Sequence, residues 1–136
     1  MPTLSFTVIH EYDPDDRGIT VPVELRAGQQ SITVSAKLDT GSSFCIFKRE
    51  HGEELGLDIE RGSPEPIFTP TGSFTAYGHA LTLASLGFEL DVMVYFASTP
   101  SFPRNVLGRY GWLQQLKLGI VDYEGKLYLG RYDEVV

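Results

Sequence analysis

Between Ile19 and Leu38 apolar and polar residues alternate through two successive segments, and nothing else restricts the fold of this chain as tightly. Ile19, Val21, Val23 and Leu25 take turns with Thr20, Pro22, Glu24 and Arg26. After Ala27-Gly28-Gln29-Gln30 the alternation resumes, with Ile32, Val34, Ala36 and Leu38 on one face. A period of two puts every second side chain on the same side, which describes a half-buried strand. Two such strands around a Gly-containing turn predict a hairpin. Pro22 has no N–H to give a neighbour and is expected at an edge.

The remaining segments extend the pattern. A short strand is expected at residues 4–9, then a polar loop from His10 to Gly18. Phe44-Cys45-Ile46-Phe47 reads as a short buried run, and Lys48 to Leu55 as a short helix ending near Gly56. Residues 62–73, rich in Pro, Gly, Ser and Thr, read as an extended loop. Strands are expected at 74–83 and 88–96, around Ser85-Leu86-Gly87, followed by a loop over 97–105. Arg109 to Leu116 reads as a second short helix with Trp112, Leu113 and Leu116 on one face. A hairpin of 118–122 and 127–129 around Glu124-Gly125 completes the chain. Many short strands with one or two short helices indicate an all-β fold, a closed β-barrel or a compact sandwich. The length of 136 residues fits one domain, residues 1–136.

Charge narrows the range of partners. A net charge of -7 repels phosphate backbones, so no nucleic-acid partner is expected. The single cysteine, Cys45, cannot form an internal disulfide, and zinc-ligand spacing is absent. Met1 to Phe6 does not read as a signal peptide, and no run of about 18 apolar residues suggests a membrane span. These features lead to the expectation of a cytoplasmic protein without a membrane partner.

The residues that bear on chemistry follow the second strand. Asp39-Thr40-Gly41-Ser42-Ser43 begins directly after Leu38 and is followed at once by the apolar run from Phe44. Asp, Thr, Gly and Ser are ordinary turn residues, and a plain strand-ending turn is the simplest reading. A turn set between two apolar segments, however, is expected to enclose its carboxylate partly. Such a carboxylate needs hydrogen-bond donors to stay ionised. The Gly41 N–H is one candidate donor and the Ser42 hydroxyl another.

The stretch Ala36-Lys37-Leu38-Asp39-Thr40-Gly41-Ser42 resembles the signature of the aspartic proteases. Asn105-Val106-Leu107-Gly108-Arg109 is similar to the family's second element, an apolar pair and a glycine downstream. The order, spacing and two closing strands resemble the single-lobed, retroviral-type members, the retropepsins, over roughly residues 19–130. That resemblance implies a closed acid-protease barrel and peptide hydrolysis with Asp39 as the catalytic carboxylate, with no metal and no organic cofactor. In that family two carboxylates share one proton and divide the general-base and general-acid work on water and carbonyl. This chain has a single Asp-Thr-Gly, so the resemblance implies a homodimer with one Asp39 from each copy and a peptide or protein substrate. It further implies that Thr40 bonds across the dimer axis and that Gly41 presents backbone polar groups. Val106, Leu107 and Gly108 would support the catalytic loop from behind. A hairpin around 68–77, with Thr71, Gly72 and Ser73 near its tip, would be the flap, and residues 132–136 would join the dimer interface.

This chain departs from the pattern at three places. Ser42 stands where retroviral enzymes have Ala, which implies an acidic optimum. Ser43 stands where an acidic residue usually pairs with the arginine matched by Arg109. The flap candidate lacks a glycine-rich tip. Two other readings stay open: a catalytically inactive dimeric peptide-binding or scaffold module of the same fold, and a small β-barrel binding an unrelated ligand. Elsewhere, Cys45 reads as a buried inert thiol rather than a partner of His10, His51 or His79. Trp112 is expected in the core, Tyr77 on the flap candidate, and His51-Gly52-Glu53-Glu54 at an exposed, charged helix end.

Overall fold

The computed structural model describes residues 1–134. Ten strands carry most of the ordered backbone. The alternating segments form the expected hairpin, β2 (Thr20–Ala27) with β3 (Gln30–Leu38), in register from Thr20↔Lys37 to Ala27↔Gln30. Val21, Val23 and Leu25 are buried, whereas Thr20 and Pro22 face out, as period-two packing requires. Pro22 lies beyond the short ladder that β2 makes with a second neighbour, so its missing N–H interrupts nothing there.

The first strand, β1 (Val8–Glu11), starts later than the 4–9 expected, and Leu4 is exposed. Its register against the last strand decides this: Val8 pairs with Leu129 and Glu11 with Lys126. After the Asp39 turn come β4 (Ile46–Phe47) and α1 (Arg49–Glu54), the expected short helix. Gly52 in α1 is buried, with the Phe96 ring and the Ile59 side chain so close that a β-carbon would meet both at 3.0 Å. The helix therefore lies tight on the sheet, and His51 is not the exposed residue expected: its side chain is only 14% exposed.

Residues 62–73 are not an open loop. They contain β5 (Ser63–Thr69), paired with the start of β6 (Gly72–Ser85) through a two-residue link, Pro70-Thr71. The prolines masked the pattern: Pro64, Pro66 and Phe68 face out while Ile67 is buried opposite Phe74. Both prolines fit because β5 ends the sheet order and is an edge strand. β6 runs on into β7 (Phe88–Ala97) through Leu86-Gly87, with φ values of 53° and 89°. Two positive φ values match the twist of a tight hairpin, and Leu86 is the unusual residue in that conformation.

The expected helix over 109–116 is absent. Gly111 at φ 98° breaks the run, a single 3-10 turn forms at Leu113–Gln115, and Leu116 already belongs to β9 (Leu116–Val121). Trp112 is fully buried, as expected. A 3-10 turn at Asp122–Glu124 leads through Gly125 into β10 (Lys126–Arg131).

The strands form two sheets. One has the order β1-β10-β9. The other has the order β2-β3-β8-β4-β7-β6-β5, with β8 at Val106–Leu107, and β2 also pairs with β6. Leu127 and Leu129 of the small sheet share one core with Val21, Leu83 and Leu107 of the large one and with Trp112, which follows β8. Among the described residues no helix is long and apolar enough to cross a membrane.

Candidate active site

The Asp39 turn is placed by backbone pairing. β8 inserts beside β3 in parallel, with Lys37 opposite Val106 and Leu38 opposite Leu107. The ladder continues into the turn, where the Asp39 N–H donates to the Leu107 carbonyl at 3.0 Å. The turn closes as Ser42 N–H donates to the Asp39 carbonyl at 3.1 Å. Beyond it, the N–H groups of Arg109 and Tyr110 donate to the carbonyls of Ser42 and Ser43 at 2.9 and 2.8 Å. The segment 106–110 thus braces the turn on both sides, although it is more than 60 residues away in the chain.

Gly108 is needed for that approach. A β-carbon there would meet the Ser42 carbonyl oxygen at 2.7 Å and the Phe44 carbonyl closer still. Backbone contact at this distance admits only glycine. Val106, Leu107 and Gly108 are all buried, so the structure brings the two sequence motifs together back to back.

The Gly41 N–H donates to Asp39 Oδ1 at 2.9 Å, the bond expected from sequence. Ser42 differs from expectation: its hydroxyl donates to the Phe44 carbonyl at 2.7 Å. It therefore stiffens the turn instead of serving the carboxylate. Asp39, Thr40 and Gly41 are exposed in the single chain, not partly enclosed, because flanking Leu38 and Phe44 are themselves only half-buried. The Thr40 side chain makes no hydrogen bond among the described residues. Arg109 is exposed, with no carboxylate of the described residues within 4.0 Å. Its guanidinium lies 5.8 Å from the centre of the Tyr110 ring.

Cys45 sits behind the turn. The Gly108 N–H points at its sulfur at 3.4 Å, and the thiol faces the Tyr110 carbonyl at 3.5 Å. Burial pushes this thiol up to about 11, so it is a poor nucleophile near neutrality. His10 and His79 turn instead to the carbonyls of Thr20 and Ile59, both at 2.9 Å. Among the described residues no group of three His, Cys, Asp or Glu side chains is placed to hold a metal ion.

Thr71, Gly72 and Ser73 lie at the tip of the β5–β6 hairpin, apart from the Asp39 turn, and no hydrogen bond joins them to it. The hairpin's inner face does approach the segment that follows the turn. Ile67 and Ala76 pack with Ile46 in a second apolar cluster, edged by Phe44, Phe74, Tyr95 and Phe102. The Phe44 and Tyr95 rings are 4.8 Å apart, and those of Phe74 and Phe102 4.9 Å. Sequence reasoning missed this cluster, because its members come from four strands and two loops. Val135 and Val136, expected at the dimer interface, lie outside the described residues.

No family model matches the sequence, and no curated protein matches it. Among solved structures, a retropepsin-like aspartic protease from Rickettsia conorii is similar to this chain with a TM-score of 0.68. The match covers 94% of this chain and 100% of that one, at 17% sequence identity. The mainly β fold described above is therefore that of the retropepsin-like aspartic proteases. At that identity the likeness is one of fold, and the case for chemistry rests on the Asp39 turn.

Proposed function

We propose that this chain is one half of an aspartic endopeptidase. Two copies bring their Asp39 carboxylates together around one water; one carboxylate takes a proton from the water while the other gives a proton to the peptide carbonyl oxygen. Like charges in contact cannot both ionise, which divides the two roles. The observation that carries this reading is the bracing of Asp39-Thr40-Gly41 by Val106-Leu107-Gly108, within a retropepsin-like fold. A turn serving only to reverse the chain needs no such support. The exposure of Asp39 and the unbonded Thr40 hydroxyl fit surfaces that a second copy covers. The ladders β2-β3-β8-β4-β7-β6, returned to β2, fit a closed barrel, and residues 1–136 act as one domain. The β5–β6 hairpin, with Thr71, Gly72 and Ser73, serves as the flap over the bound peptide. The chemistry needs no metal or organic cofactor, so a chelator leaves the rate unchanged.

The decisive experiment pairs Asp39→Asn with the wild type on a peptide library. General acid–base groups contribute on the order of 100- to 10,000-fold, and the variant should lose at least that much. Hydrolysis that survives the substitution, or a wild type that cleaves as a strict monomer, overturns the proposal. A statine-type transition-state mimic should bind the wild type tightly, which a peptide-binding scaffold has no reason to do.

A further inference from the structure

We propose that Asn105 and His51 form a positioning clamp behind the Asp39 turn, which closes only on a neutral His51 imidazole carrying its proton on Nδ1. Asn105 is buried immediately ahead of β8 and makes four contacts. Its backbone carbonyl accepts from the Lys37 N–H at 2.9 Å. Its side-chain Oδ1 accepts from the Lys48 N–H at 3.0 Å, and its Nδ2 donates to the Ser35 carbonyl at 3.2 Å. The same Nδ2 lies 3.2 Å from His51 Nε2. One residue thus ties β3, β8 and the start of α1 together, two positions before the Leu107 carbonyl that holds the Asp39 N–H.

The chemistry of the partners fixes every hydrogen. A backbone N–H requires an acceptor and a backbone carbonyl a donor, so the carboxamide has only one orientation. The second hydrogen on Nδ2 then faces His51, and Nε2 must accept it. A neutral ring that accepts at Nε2 carries its proton on Nδ1. A charged ring would put a hydrogen on Nε2 against the Asn105 donor, and Asn105 cannot turn over without breaking both backbone bonds. The His51 Nδ1 is buried and makes no hydrogen bond among the described residues; Glu54 Oε1, 3.5 Å away, is the one carboxylate of those residues within 4.0 Å of the ring. Other charges nearby are engaged elsewhere: Arg49 with Glu60 at 2.6 Å, Lys48 with Glu50 at 4.0 Å, Arg61 with Asp58 at 3.3 Å. β7 meets α1 through the apolar Phe96, His79 bonds the Ile59 carbonyl, and Lys37 of β3 is exposed.

The effect of the clamp on peptide hydrolysis rests on the function proposed above; the clamp itself does not. Long-range proton–nitrogen NMR of the full chain near neutral pH should find His51 protonated on Nδ1 and accepting at Nε2. A proton on Nε2 overturns the proposal. At neutral pH, His51→Leu should speed exchange of the Asp39 amide about tenfold, the weight of one buried hydrogen bond, and His51→Gln should restore it. If the tautomer is as stated and no peptide is cleaved, the clamp stands and the functional reading alone fails.

Discussion

The Asp39 turn and the tip of the β5–β6 hairpin are both exposed, yet the chain holds them in opposite ways. The turn is anchored by backbone bonds to a distant segment on either side, with Gly108 and the buried Cys45 directly behind it. The tip, Pro70-Thr71, is held by its own ladder and by Thr69, whose hydroxyl donates to the Gly72 carbonyl at 3.0 Å. One region is fixed by contacts far apart in sequence, the other by neighbours within three residues. The function proposed above, which keeps a carboxylate in place while admitting an extended substrate, calls for this division: rigid support at the reacting group and a locally held hairpin free to move.

The sharpest way to break the contrast is to remove the support. Leu107 is fully buried, so Leu107→Ala should cost about 2–5 kcal/mol of stability by urea denaturation, with a lower midpoint and unchanged slope. Gly108→Ala forces a β-carbon against the Ser42 and Phe44 carbonyls. It should cost about 1–3 kcal/mol. Its effect on peptide hydrolysis should be larger than its stability loss implies, about 100-fold, because a displacement of about 1 Å at a reacting group is that expensive. Equal proportional losses in rate and stability would mean that β8 supports the fold but not the turn.

Parts of this contrast were legible in the sequence and parts were not. Periodicity located β2 and β3, because nearly every alternate residue there is apolar. The two motifs located the turn and its support, because close backbone approach demands glycine and the buried pairing beside the turn demands apolar residues. β5 was misread because Pro64 and Pro66 look like loop residues until the strand is known to lie at an edge. The helix over 109–116 was misread because Trp112, Leu113 and Leu116 are spaced as on a helix, and Gly111 stops it. His51 was misread because burial there depends on Gly52 meeting Phe96, a contact between positions 44 residues apart. The enclosure expected for Asp39 failed for a related reason: sequence shows which residues flank a turn, but not how deeply they sit.

At the hairpin tip the same logic predicts small effects on stability. Phe68 is 80% exposed, and Phe68→Ser should change the thermal midpoint by no more than about 0.5 kcal/mol in equivalent stability. Under the flap role proposed above, any effect on hydrolysis should fall on KM, since no hydrogen bond joins the tip to the Asp39 turn. A stability loss comparable to that of Leu107→Ala would erase the distinction between the two regions.

The smallest effect concerns the thiol behind the turn, and it reads the rigidity of that region directly. Burial raises the Cys45 thiol from 9.0 to about 11, so the folded chain favours the neutral form more than the unfolded chain does. The stabilisation from this difference is fully present below about 9 and is lost as pH rises through about 11. Cys45→Ala should therefore flatten the alkaline end of the stability profile and leave neutral pH little changed beyond a small cavity cost. At pH values near 8, a thiol-specific reagent can reach Cys45 only when the segment around Gly108 opens, because Cys45 and Gly108 are both buried. Labelling should be slow in the wild type and faster in Gly108→Ala, while Phe68→Ser leaves it unchanged. Rapid labelling of the wild type would show that the support under Asp39 opens readily and is no firmer than the hairpin tip.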